Sequence, residues 1–149
     1  MSYSSPNLTL HPPRSARVRL GGFVILPRML DKGRALLAGT QGEYHFNCPL
    51  DQRFTKFVGI DADALKEQLA AGKGDGEILE WVLANATAKL DDPAILAWSQ
   101  YQASRVPTEP EVRTYFNKIH TDAAPHRTDI ATWFDLLDLD DYVSFGGKA

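Results

Sequence analysis

A chain of 149 residues, 44% hydrophobic and 23% charged, has the length and composition of one ordinary globular domain able to bury a core. Its apolar runs, such as Phe23-Val24-Ile25-Leu26, are too short for a membrane span or a signal-peptide core, and a net charge of -3 argues against a nucleic-acid partner. A cytoplasmic location without membrane contact is therefore expected, and the single cysteine, Cys48, excludes an internal disulfide and a Cys-rich zinc site.

Residues 1–13, with Ser, Pro and Asn and little periodicity, read as an arm ahead of a single helical domain over residues 14–149, docked through Leu8, Leu10 or His11. Arg17-Val18-Arg19-Leu20 alternates polar and apolar, but Gly21-Gly22 ends the pattern. Pro27 suits a first helical position and Gly39 the residue just past a helix end, so the spacing predicts a helix over 27–38. Leu26, Met29, Leu30, Gly33 and Leu37 fall on its buried stripe, with Arg28, Asp31, Lys32 and Arg34 mostly turned elsewhere. A mid-helix glycine costs about 1 kcal/mol against alanine, so Gly33 marks close approach of a backbone, a bulky ring or a ligand. Close helix packing is its ordinary explanation.

After the loop Gly39 to Gly42, the run Glu43 to Cys48 is expected to be extended, because Pro49 disfavours the helical region for Cys48. Six more helices follow. Asp51 is read as the cap of one carrying Phe54, Phe57 and Val58, and Asp61 as the cap of another over 62–71. The next spans 77–86, and Asp92-Pro93 opens one with Ile95, Trp98 and Tyr101. Thr108-Glu109-Pro110-Glu111 has the capping-box pattern ahead of Val112, Tyr115, Phe116 and Ile119, and Thr128 precedes Ile130, Trp133, Phe134 and Leu137. The fold expected is all-α, a compact orthogonal array of about seven short helices with a short extended segment near residues 43–48.

Charge is unevenly placed along the chain. Arg14 to Arg34 holds six basic residues against one acid, while Asp129 to Asp141 holds five acids and no base. Either the two segments pair or lie solvated, or the basic one receives a phosphate or carboxylate. Asp31 and Arg34, three apart, suit a local ion pair.

The favoured site lies between the 27–38 helix and residues 43–51. There Arg28, Asp31, Lys32, Glu43 and Cys48 would bind a small anionic metabolite, with His45 as acid or base and Tyr44 as hydrogen-bond donor. Cys48 with His45 and Asp51 suggests a nucleophile, but no nucleophile signature surrounds it and a packed thiol is the plainer reading. His45, Cys48 and Asp51, with His120 or His126, supply too weak a pattern for a metal, and no other cofactor is expected. Phosphate-cradling glycine motifs, a nucleophile elbow and His-Glu-x-x-His are all absent from the sequence. The alternative reading is a non-catalytic interaction module, a homodimer in which the charged segments or exposed aromatics meet a partner.

The residues Arg17-Val18-Arg19-Leu20-Gly21-Gly22, Leu26-Pro27-Arg28-Met29-Leu30-Asp31-Lys32, Gly42-Glu43-Tyr44-His45-Phe46, Gly59-Ile60-Asp61-Ala62 and Trp133-Phe134-Asp135-Leu136-Leu137-Asp138 carry a family likeness. With them the chain resembles, from about Arg14 onward, a bacterial family known as domain of unknown function 5069. The resemblance implies a soluble, single-domain helical protein and carries no catalytic residues.

Overall fold

The computed structural model describes residues 5–149, so the first four residues of the expected arm lie outside it. Seven helices follow in order: α1 (Leu26–Ala38), α2 (Pro49–Val58), α3 (Ala62–Ala70), α4 (Asp75–Asn85), α5 (Asp92–Ser104), α6 (Pro110–Ala123) and α7 (Trp133–Ser144). Among the described residues there is no sheet, only an isolated bridge between Leu20 and Phe23.

Several helix starts differ from expectation; α4, for one, begins at Asp75, two residues before Glu77, which instead accepts the Gly74 N–H. Cys48 is the extended residue ahead of α2 and Pro49 its first turn, which leaves Asp51 inside the helix and wholly buried. Asp91, not Asp92, accepts the Ala94 N–H at 2.9 Å and starts α5. Thr132, not Thr128, starts α7, exchanging bonds with Asp135 in a capping box. At α6, Glu109 precedes the helix and Thr108 forms no cap bond.

The helix that organises the rest is α1, buried on far more than one stripe. Leu26, Met29, Leu30 and Ala35 are fully enclosed, and Arg28 and Lys32, expected to turn away, are each only 3% exposed. Residues 36–39 are exposed as the helix leaves the core, which takes Leu37 out of the expected stripe. At Gly33 an added Cβ would lie 2.5 Å from Leu69 Cδ1 and 3.1 Å from the Phe46 ring, so the glycine lets a leucine and an aromatic ring pack onto the helix. Ahead of α1, Ile25 has φ 74°, an outlier for a β-branched residue, yet its side chain is completely buried. Burial worth about 1.5–3 kcal/mol offsets a strain of about 1–3 kcal/mol.

Aromatic rings fill the space beside α1. Phe23 meets Phe54 edge-on at 5.3 Å, and Phe57 stacks on Trp98 at 4.7 Å. Helix α6 is the exception to dense packing: it lies against α7, with Phe116 edge-on to Trp133 at 5.2 Å, and Phe116 is its one buried residue. Val112 and Tyr115, on the apolar stripe that predicted this helix, are exposed.

Five of the six basic residues of the segment are paired within the chain, while Arg19 is exposed and takes part in no salt bridge of the described residues. Arg14 binds Asp31 through its guanidinium at 3.0 Å and its backbone N–H at 2.9 Å, and reaches Asp75 at 2.8 Å. Arg34 also bonds Asp75, at 2.7 Å, so the expected local pair of Asp31 with Arg34 gives way to two partners better placed across the fold. Arg17 pairs with Asp135 and Asp138 of α7.

Two outcomes follow. Gly33→Val should destabilise by about 1–3 kcal/mol in urea unfolding, since Leu69 and Phe46 must both give way. Burial works against the Asp75 charge, but its bonds from Arg14 and Arg34 prevail and hold the carboxyl below the usual range. A depressed pKa gives stability that is full above the unfolded value of about 3.9 and lost as pH falls through the folded one. Thermal melts by circular dichroism should therefore fall below about pH 4, and Asp75→Asn should flatten that part of the profile.

Candidate functional site

A cavity of about 920 Å³ opens between α1, the loop after it, the start of α2, the end of α5, and α6 with α7. That volume lies in the upper part of the range of small-molecule sites.

Its inner wall is the charged face of α1. Arg28 and Lys32 are four residues apart and therefore share a face. The Arg28 guanidinium donates two bonds to Asp141, at 2.7 and 3.2 Å, and one to the Arg14 carbonyl at 3.3 Å. Burial opposes its charge, but the Asp141 carboxylate more than compensates and raises its pKa. Tyr44 donates its hydroxyl to the same carboxylate at 2.7 Å, with its ring 5.5 Å from the guanidinium. Burial and this bond push the phenol well above its ordinary range, so Tyr44 keeps its proton and spends it on Asp141.

Lys32 is anchored the same way. Its Nζ lies 2.9 Å from Asp51 Oδ2 and 3.2 Å from Cys48 Sγ. Oδ2 also accepts the Asn47 N–H at 2.9 Å, while Oδ1 has no partner among the protein atoms. Asn47 sits at φ 61°, a conformation asparagine tolerates, and the chain turns there and at residues 42–43. The segment expected to be extended is thus two turns, with extended geometry left at Cys48. The reversal at Asn47 lets Asp51 reach back over Lys32 while Phe46 packs on Gly33.

Of the residues singled out from sequence, Arg28, Lys32, Glu43, Tyr44, His45 and Cys48 border the cavity. Asp31 does not; Arg14 draws its carboxylate to another part of the surface. Arg28 and Lys32 are neutralised by aspartates, so neither is a spare cation for a ligand. His45 is exposed at the rim and has no hydrogen-bond partner among the described residues. Cys48 is half-buried beside Lys32, not bonded to His45. Elsewhere, His120 bonds the Arg127 carbonyl, and among the described residues no three His, Cys, Asp or Glu side chains gather as a metal-binding group.

Two residues not singled out from sequence stand on the cavity wall, Arg53 and Arg105. Both are half-buried, and neither takes part in the salt bridges of the described residues. Burial and the nearby Arg53 charge push the Arg105 guanidinium below its usual range. Arg53 was within reach of sequence reasoning, since it lies four residues after Pro49 on the same helical face. Arg105 was not: it ends α5 and comes to the cavity because its carbonyl accepts the Trp133 N–H at 3.0 Å.

The family model for the domain of unknown function DUF5069 matches residues 10–143. The chain belongs to this family. The DUF5069 match takes in α1 to α6 and all but the last residue of α7, and with them every charged group of the cavity. Comparison with the curated proteins gives no match. No described helix of this DUF5069 chain is long and apolar enough to cross a membrane.

Removing Asp141 would leave the Arg28 charge buried without its carboxylate. Asp141→Ala should cost about 3–5 kcal/mol in urea unfolding, and Arg28→Met combined with Asp141→Leu should recover much of it. Equal losses in the single and double variants would show that the pair is not what holds α7 to α1.

Proposed function

We propose that the cavity binds a small anionic molecule, held by the guanidinium groups of Arg53 and Arg105. The observation that carries this reading is a pair of half-buried cations on one cavity wall with no carboxylate partner, in a chain whose other inward-facing cations are matched. Two guanidiniums brought together away from bulk water repel, and a carboxylate or phosphate between them relieves that repulsion through charge-assisted, bidentate bonds. Arg28, Lys32 and Tyr44 then serve as a fixed wall, because their donors are already spent on Asp141 and Asp51. His45 offers an uncommitted imidazole at the rim, the side-chain type best suited to proton transfer near neutral pH, should the bound molecule be turned over.

A charge-driven homodimer draws less support. Arg17 and Arg28 of the basic segment already pair with Asp135, Asp138 and Asp141 of α7 inside one chain, which removes those charges from such an interface.

Thermal-shift measurements with carboxylate and phosphate metabolites test the reading. A ligand at about a hundred times its Kd adds about 2.7 kcal/mol, a rise of several degrees for a chain of this size. Arg53→Ala with Arg105→Ala should abolish that rise. A rise of the same size in the double variant would refute the assignment of these two arginines.

A further inference from the structure

We infer that the occupant is an amphipathic anion: one carboxylate or phosphate monoester head on an apolar body. This deepens the anion-binding reading above and rests on it.

Three observations lead there. The cavity, at about 920 Å³, is far larger than an inorganic anion, which would leave most of it unfilled. Its lining away from the charges is apolar and aromatic, including Leu50, Tyr115, Trp133, Leu137 and Phe145. Part of that lining has no protein cover: Tyr115 is 60% and Phe145 37% exposed, and the α6 stripe to which Tyr115 belongs buries only Phe116. An apolar body lying along it would complete the burial that the helix pattern calls for.

Charge limits the head. Arg53 and Arg105 are the two uncommitted cations, while Glu43 and Asp140 also border the cavity and would repel a second anionic group. Head and body adjoin in the fold. The Arg105 carbonyl is bonded to the Trp133 N–H, and Leu50 lies three residues before Arg53 on one face of α2. A molecule gripped by the two guanidiniums therefore has its next atoms against Trp133 and Leu50.

Isothermal titration calorimetry of the full chain with decanoate, decyl phosphate, decanol, citrate and inorganic phosphate decides it, each amphiphile kept below its micellar concentration. Decanoate or decyl phosphate should bind at one site, and decanol, lacking the charge, at least about tenfold more weakly. Arg53→Gln with Arg105→Gln should reduce the charged amphiphile to the level of decanol. Tyr115→Ala, at an exposed position where the fold should tolerate it, should weaken the amphiphile severalfold without changing the melting temperature of the free protein. Citrate or phosphate binding as tightly as decanoate would overturn the amphipathic inference and leave the anion-binding reading standing. Decanol matching decanoate, with no effect of the double glutamine variant, would overturn both. No heat with any of the five would also overturn the inference.

Discussion

Arg28 and Lys32 enter the interior on one face of α1, and each meets a carboxylate at bonding distance there. Taking a charge out of water costs several kcal/mol, so the helix can be buried in this orientation only when both partners arrive. Asp141 comes from a position 113 residues along the chain, and Asp51 from the following helix across a reversed turn. Such pairs often add little net stability over well-packed apolar residues. Their consequence here is positional: α7 and the start of α2 are set against α1 at particular residues, and the cavity is the space left between them.

The loop from Gly42 to Cys48 joins the two pairs. Tyr44 adds its hydroxyl to Asp141 while Asn47 adds its N–H to Asp51 Oδ2, so a stretch of a few residues contributes a donor to both carboxylates. Phe46, between them, turns onto Gly33. Gly42 allows the chain arm to approach as well, for a Cβ there would lie 2.8 Å from the Leu8 carbonyl. Leu8 is buried and its N–H donates to Thr40, whereas Leu10 and His11 stay exposed.

The division between spent and unspent charge follows from this packing. Arg28 and Lys32, on the α1 side of the cavity, are consumed in holding the fold, and Arg53 and Arg105 are not. Residues that looked chemically rich in sequence, Tyr44 and Lys32 above all, owe their composition to structural bonds. The surface offered to a ligand is instead made by side chains from α2, the end of α5, α6 and α7.

Local chemistry determined the helices: Pro27 and Gly39 bound α1 within a residue, and apolar spacing marked all seven, because those preferences act within a few residues of themselves. Starts were misplaced where two candidate caps lay close together, as with Asp91 and Asp92, since only the finished turn shows which side chain accepts the bond. Sequence also placed six of the predicted site residues beside one another, because Arg28 to Cys48 is a short stretch folded back on itself. Only the tertiary structure decided that Asp31 belongs to Arg14, that Arg28 and Lys32 are buried and matched, and that Arg53 and Arg105 are left over. Ion pairing across the chain depends on which helices meet, and no spacing rule along one helix carries that information.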